Sequence, residues 1–506
     1  GTVGVQIVLV LSLTAGCFAA PSDIKHVIVL MEENRSFDHM LGHLKQFVPE
    51  VDGLFGNESN PVNPKDPHSE RVKVTFDALP FIGADPGHSV PATEREIWGE
   101  PGFLDPAPMN GFVWANNSTQ VMRCYNESTV PVISTLAQRF TVFDHWHCGI
   151  AGPTHPNRIM FHAATTRGLA KQAGIAEYVG GFDQPTIFND FEEAGLPWKV
   201  YYSDFPLATE LNRIREHPTN FHTFLDFLKD AATGELPAYS FIEPRYFDFL
   251  EWKENDQHPP HYSTYGEFLM KEVYEALRNG PAWNETLLVI TYDEHGGLYD
   301  HVSPPEHGVP NPDGMNSTDP PYNFTRLGVR IPTIAISPWI DAGVEHFPPD
   351  HLERQNHYEA TSVMATLRKI FPQLPQRPLT KRDEWAGTFE HLLSARTTPR
   401  TDCPTDLPVP LSAEEDWKAY KATQALPETE ETVSEMLSRS PDLKRDKEGL
   451  SDLQADVVMA AWALTPRNMS QADIEELEAA QANIWEACLY LRRQLLKWMQ
   501  KEPEEL

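Results

Sequence analysis

Six apolar, β-branched runs punctuate the chain: HVIVLM at 26–31, FTVFDHW at 140–146, WKVYYS at 198–203, YSFIE at 239–243, TLLVITYDE at 286–294 and IPTIAISPW at 331–339. In the first, Val27 to Met31, the hydrophobicity is continuous rather than alternating, the pattern of a strand covered on both faces. Segments of helical spacing fall between or after them, such as GEFLMKEVYEALRNG at 266–280 and TSVMATLRKIF at 361–371. This alternation predicts an α/β domain built on a parallel, doubly covered sheet. Polar inserts rich in Pro and Gly, at 49–70, 83–110 and 303–326, exceed the usual connection length, so they are expected to border a site or to be disordered.

The pattern changes at both ends. Residues 1–20, GTVGVQIVLVLSLTAGCFAA, have an apolar centre and end in small residues, which reads as a truncated secretion signal rather than a buried N-terminal element. After the Pro-rich stretch TTPRTDCPTDLPVPLS, the region 450–500 is rich in Glu, Gln, Ala and Leu at helical spacing. The expected organisation is a signal over 1–20, a main α/β domain over 21–398, and a linker with a helical C-terminal extension over 399–506. A packed cap, a lipid-contacting element and a partner surface are the roles open to that extension. Sequons at Asn57, Asn116, Asn117, Asn126, Asn284, Asn316, Asn323 and Asn468 agree with a secreted or lumenal glycoprotein. Asn34 also matches, but lies against a strand end. Without Cys17, the even set Cys124, Cys148, Cys403 and Cys488 permits disulfides or buried thiols.

Charge narrows the partners. Lys and Arg number 41 against 73 Asp and Glu, a formal net charge of −32, which disfavours nucleic acid and anionic surfaces. It also makes any place where carboxylates converge a candidate cation site.

Two strands end in such acids. HVIVLM runs into Glu32, Glu33 and Asn34, and LLVITY into Asp293 and Glu294, followed by His295, Gly296 and Gly297. Ligands of open parallel sheets bind beyond the carboxyl ends of strands. If the two strands are neighbours, Glu33, Asn34, Asp293 and Glu294 meet, and a bound cation relieves their repulsion. Four hard oxygen donors favour Ca, Mg or Mn. The two glycines permit a tight turn and leave room for a ligand.

AGPTHPNRIMFHAATT at 151–166 places Thr154 where a helical pattern begins. Its hydroxyl suits either an N-cap or a nucleophile beside a metal and a helix N-terminus. DPGH supplies His88 and NDQHPPH supplies His258 and His261 for proton transfer, although 20 histidines leave spacing alone unselective.

MEENRSFDHMLG (31–42), DPGH (85–88), MNGFV (109–113), THPNR (154–158), EPRYFD (243–248), NDQHPPH (255–261), TYDEHGGLYDHV (291–302), GVRIPTIAISPWI (328–340) and KRDEWAGTFE (381–390) occur together in this order. In this the chain resembles the phosphoesterase family of bacterial phosphatidylcholine-hydrolysing phospholipases C, plant non-specific phospholipases C and a branch of acid phosphatases, the plant type above all. The resemblance spans about residues 24 to 395. It implies an alkaline-phosphatase-like α/β/α sandwich. It implies Glu33, Asn34, Asp293 and Glu294 as metal ligands, Thr154 as the nucleophile forming a phosphothreonine, and His88, His258 and His261 as phosphate-binding or proton-donating groups. Arg158 would order the nucleophile loop, with Asp300 and His301 as further supporting candidates. One departure stands out: Ala360 in YEATS occupies a position where relatives carry His, with His357 one turn upstream as a possible substitute.

The expected function is hydrolysis of the glycerol-side phosphoester of phosphatidylcholine and other glycerophospholipids, with peripheral membrane contact and no nucleic-acid partner. Oligomeric state is open. The alternatives are an acid phosphatase acting on soluble monoesters, or a lipid-binding glycoprotein weakened at Ala360. Trp114, Trp146, Phe81, Phe103 and Phe112 are candidates to receive acyl chains or to join the core. G-x-S-x-G, H-E-x-x-H and paired HxKxxxxD patterns are absent from the sequence.

Overall fold

The computed structural model describes residues 24–99, 104–173, 181–248, 253–410 and 413–422, then positions 454, 457, 458, 461 and 480 and the helix Ile484–Met499. The expected signal over 1–20, Phe103, the Asn468 sequon and much of 450–500 lie outside the described residues.

The apolar runs assemble as one sheet. Its strands are β1 (His26–Glu32), β2 (Thr141–Phe143), β3 (Trp198–Tyr202), β4 (Phe221–Thr223), β5 (Tyr239–Ile242), β6 (Thr286–Tyr292), β7 (Thr333–Ile336) and β8 (Gly343–Glu345), in the spatial order β8-β2-β7-β6-β1-β5-β3-β4. Pairing is parallel everywhere except at β7, which runs antiparallel to both β6 and β2. Every residue of β6, and every residue of β1 after His26, is buried. Burial without alternation means that both faces are covered, which gives the layered α/β/α arrangement expected from the sequence.

Two strands escape sequence reading. β4 and β8 are three-residue edge segments with no apolar run, and they form because a neighbouring strand offers its backbone. The stretch 140–146 divides after Phe143, where the buried Asp144 carboxylate accepts from the Asp52 N–H at 2.6 Å and bonds the His346 ring at 2.8 Å. The inserts carry structure of their own. Residues 49–70 contribute Ser59–Pro61 to a small antiparallel pair with Arg71–Lys73, and 83–110 contains the helix Val90–Trp98, capped by Ser89.

Helices α1 (Phe37–Leu41), α2 (Val90–Trp98), α3 (Pro131–Arg139), α4 (Thr154–Ala163), α5 (Ser263–Asn279) and α6 (Ser362–Ile370) flank the sheet. All residues of α4 are buried. Described parts of the C-terminal region pack onto this body. The Tyr420 hydroxyl accepts from Asn255 Nδ2 at 3.0 Å, Lys421 pairs with Glu272 on α5 at 2.6 Å, and the Trp498 ring sits edge-on to Phe221 of β4 with centroids 5.0 Å apart. No described helix is long and apolar enough to cross a membrane. Cys124, Cys148 and Cys403 are buried free thiols.

One buried cation ties α1 to the rim of the sheet. Arg330 donates to Asp300 and Asp38 at 2.9 Å each and to the Asp144 and Asp52 carbonyls at 2.7 and 2.8 Å. Removing one partner of a buried pair strands the other charge. Arg330→Met is therefore expected to cost about 3–5 kcal/mol, read from urea unfolding against wild type.

Candidate active site

β1 and β6 are neighbours in a register that pairs Glu32 with Tyr292, so the residues after both strands emerge side by side. Asn34 N–H donates to Asp293 Oδ1 at 3.0 Å, and Arg35 N–H to the Glu294 carbonyl at 3.0 Å. Asn34 adopts the left-handed region at φ 53°. Gly296 is required here, since a Cβ on it would lie 2.3 Å from the Asn34 carbonyl oxygen. Gly297 is equally constrained by the Gly87 carbonyl at 2.5 Å. The room left by the two glycines is thus taken by backbone rather than by a ligand.

The donor set fits a cation. Asn34 Oδ1, Asp293 Oδ2 and Glu294 Oε1 are buried without hydrogen-bond partners. Burial, with Asp293 and Asp256 close by, pushes the Glu33 carboxyl well above its usual range against the pull of Arg158. Such a group of oxygens is unfavourable until something positive sits among them. Compact trios of His and carboxylate ligand atoms, all within 4.8 Å of one another, occur among the described residues at Asp85–His88–His258, Asp144–His145–His346 and Asp38–Asp300–His301. Glu33, Asp293 and Glu294 do not form such a trio, and Arg158 holds one side of Glu33, with Nε to Oε1 at 2.7 Å.

Thr154 opens α4, but its side chain does not cap the helix. Pro153 holds the N-cap position, and Thr154 Oγ1 faces Glu33 Oε2 at 3.4 Å. The preceding loop is fixed by Asn157, which accepts from Ile150 N–H and donates to the Ile150, Gly152 and Pro153 carbonyls. Arg158 lies fully inside, 3.7 Å from Glu243 and over the Tyr246 ring, so it orders Glu33 as well as the loop.

His88 and His258 meet edge to face at 5.8 Å, and His258 lies 6.2 Å from His261 between ring centroids. Burial would lower the His88 imidazole, but Glu294, Asp85 and the Pro86 carbonyl outweigh it and raise it to about 9. His258 Nε2 has no partner. His261 Nδ1 bonds Asp256 Oδ1 at 2.6 Å, and its Nε2 lies 3.4 Å from Gln454 Nε2 in the C-terminal region.

The geometry thus gathers Glu33, Asn34, Asp293, Glu294, Thr154 and Arg158 at one strand end, with His88 electrostatically tied to Glu294 and with His258 and His261 beside it. Residues 24–374 match the Phosphoesterase family. The chain belongs to that family. It is 44% identical over 411 residues to Non-specific phospholipase C1 of Arabidopsis thaliana, covering 78% of this chain and 76% of the relative. It is 44% identical over 399 residues to Non-specific phospholipase C6 of the same plant, covering 76% and 75%. Phospholipase C B of Mycobacterium tuberculosis matches at 26% over 373 residues, 63% of this chain and 69% of that one. Among solved structures, a lipoteichoic acid synthase from Listeria monocytogenes aligns at 8% identity over 74% of this chain and 78% of that one, with a TM-score of 0.35.

Within this phosphoesterase several residues matter that sequence reading passed over. Asp256 lies inside the NDQHPPH motif; it binds His261 and accepts the His258 N–H at 3.0 Å, while its carbonyl takes the Glu33 N–H. Its signal was a carboxylate two residues ahead of an already suspected histidine, His258. Glu96 bonds His295 at 2.9 Å, and His295 in turn approaches Glu294 at 3.4 Å. Glu210 holds His155 of the THPNR motif at 2.6 Å. Neither Glu96 nor Glu210 belongs to a recognisable motif, so only folding discloses them.

Other candidates lie in different surroundings. Asp300 and His301 bind Arg330, Asp38 and Asp52, and so belong to the Arg330 network rather than to the Thr154 cluster. His357 is no substitute for the histidine missing at Ala360: its ring neighbours are His147, Phe347, His351 and Trp385, and burial with His351 lowers it to about 4. Ala360 is buried, its Cβ 3.2 Å from where a Cβ on Gly149 would lie. Trp146 and Phe112 are core residues, Trp114 is half-buried against Lys65, and Phe81 alone of the described acyl-chain candidates is exposed. The Asn116 amide is occupied, with Nδ2 donating to Glu96, Phe112 and Gly297 and Oδ1 accepting from Gly87, which opposes a glycan there.

The Arg330 network has a pH signature. Burial lowers the His301 imidazole, but Asp38 and Asp52 more than reverse this and raise it to about 10. A histidine raised on folding contributes stability that is complete below its ordinary value of 6.5 and lost as pH rises through about 10. His301→Asn should therefore be less stable than wild type at pH 6, with the gap closing toward pH 10, as read by urea unfolding at both ends of this window.

Proposed function

We propose that this chain is a phospholipase C that hydrolyses the glycerol-side phosphoester of phosphatidylcholine and related glycerophospholipids. The observation that carries the reading is Thr154 Oγ1 facing Glu33 beside the unpartnered oxygens of Asn34, Asp293 and Glu294. The names of the plant and mycobacterial relatives support the same substrate class.

Thr154 is the nucleophile. Its Oγ1 loses its proton to solvent and bonds to phosphorus, the bond from phosphorus to the glycerol oxygen breaks, and diacylglycerol departs with a proton from a neighbouring histidine, which solvent then reprotonates. His88, 5.8 Å from His258 between ring centroids, is placed to bind phosphate oxygen or to supply that proton. His258 presents a free Nε2, and Asp256 fixes the ring of His261. Water then attacks the phosphothreonine, which releases the phosphorylated headgroup and restores the hydroxyl. Arg158 positions Glu33 throughout. Glu33, Asn34, Asp293 and Glu294 would hold a divalent cation, which would supply neutralisation of negative charge beside the Thr154 hydroxyl; their oxygen donors favour calcium, magnesium or manganese.

Membrane contact has a physical basis at the edge of the histidine loops. Phe81 and Tyr262 pack against each other with centroids 5.0 Å apart, yet are 43% and 45% exposed, and Leu79 is 61% exposed. They adjoin the segments bearing His88 and His261. With a charge of −32, a zwitterionic surface suits this rim better than an anionic one. Secretion is supported by sequons at exposed Asn57, Asn117, Asn284, Asn316 and Asn323, and the division into signal, catalytic domain and extension follows the reading of the sequence.

Mixed phosphatidylcholine micelles and, separately, a soluble aryl phosphate test the proposal. Diacylglycerol release should fall on the order of 10⁴-fold or more in Thr154→Ala and steeply in Asp293→Asn. Monoester turnover without diacylglycerol would replace the reading by an acid phosphatase. Lipid retention without turnover would indicate a binding protein disabled at Ala360. Phe81→Asp with Tyr262→Asp should lower vesicle hydrolysis by at least about tenfold and leave a soluble short-chain substrate unaffected.

A further inference from the structure

A second constellation of metal-ligating groups lies outside the Thr154 cluster. β2 and β8 pair in parallel with Glu345 opposite Phe143, and the Asp144 N–H continues the ladder to the Glu345 carbonyl at 3.3 Å. The next residues of both strands are therefore neighbours: Asp144 and His145 from one, His346 from the other. Their ligand atoms fall within 4.8 Å of one another. Asp144 is an anchored anion, its carboxylate wholly buried and fixed by the Asp52 N–H, whereas the His145 and His346 side chains are 16% and 44% exposed. A rigid buried carboxylate with two accessible imidazoles is a set into which an ion can enter from solvent. Asp52 adds a second carboxylate, 3.1 Å from His145 Nε2.

We propose that Asp144, His145 and His346 form a site for a borderline transition-metal ion of the Zn²⁺ class, with water or Asp52 completing the coordination. Two nitrogens and one carboxylate oxygen are a donor set for such ions, in contrast to the oxygen set at the end of β1. Donors around a tetrahedral ion stand roughly 3.3 Å apart, and the ligand atoms here already lie within 4.8 Å of one another. The ion replaces the hydrogen bond that now joins His346 to Asp144. Because β8 is the outermost strand on this side of the sheet, the ion fastens an edge strand to its neighbour. Its effect is on stability rather than on the chemistry at Thr154.

The test uses the full chain, stripped with a chelator and titrated with Zn²⁺ alone, with bound metal counted after dialysis and unfolding temperature followed in parallel. Co²⁺ serves as a spectroscopic substitute. His346→Ala and His145→Ala should each weaken Zn²⁺ binding at least about tenfold and abolish the Zn²⁺-dependent rise in unfolding temperature. Asp293→Asn, which alters only the other cation site, should retain both. Equal Zn²⁺ uptake and equal thermal shifts in wild type and both histidine variants would overturn the proposal. Loss of this binding in Asp293→Asn alone would assign the ion to the strand end of β1 instead.

Discussion

Negative charge concentrated at the ends of two adjacent parallel strands is the constraint around which this protein is built. Continuous apolar faces force β1 and β6 into the middle of the sheet, and their register brings Glu33 and Asn34 against Asp293 and Glu294. Water is excluded there, so repulsion among carboxylates is not screened. The chain answers in part with its own cation, Arg158, which comes from the same helix that presents Thr154. Oxygens of Asn34, Asp293 and Glu294 stay unpartnered, which leaves a place for a bound ion. Buried hydroxyl, counter-charge and unpartnered oxygens are in this way three consequences of one packing arrangement.

The surrounding layer is devoted to orientation. Asn157 locks the turn before Thr154, Asp256 directs His261 while its backbone secures Glu33, and the Glu96–His295 pair stands behind Glu294. Each gives a buried polar group at least one hydrogen-bond partner, as a low-dielectric interior demands. The C-terminal region takes part as well. Gln454 reaches His261, and Tyr420 holds Asn255 of the same loop, so the extension bears directly on the segment that carries two of the candidate histidines.

Two kinds of donor set coexist in the fold. At the end of β1 the donors are oxygens, facing a hydroxyl and deeply buried. Where β2 and β8 end, imidazoles join a carboxylate near the surface. The Arg330 network lies between them in chemical character, because its carboxylates already have a protein cation and offer little to a metal. Comparable clusters of acids and histidines thus differ in what they can bind according to how many of their oxygens an arginine already claims: Arg330 takes both carboxylates of its network, whereas Arg158 leaves Asp293 and Glu294 with unpartnered oxygens.

The apolar runs were legible in the sequence because burial on both faces requires hydrophobic side chains at every position, and that requirement is written locally. The acids after β1 and β6, Thr154 before a helical pattern, and the ordered motifs carrying His88, His258 and His261 were legible for the same reason: each is a short chain segment with its own chemistry. Strand direction at β7, the edge strands β4 and β8, and the support given by Glu96, Glu210 and Asp256 were not, since they depend on which backbone lies alongside. Asp300 and His301 looked like part of the site from their place in a motif, yet Arg330 claims them from a distant segment. The sequence by itself determined which residues could bear charge and chemistry; the tertiary structure alone decided which of them share an interior, because pairing across hundreds of residues is set by packing and not by neighbours along the chain.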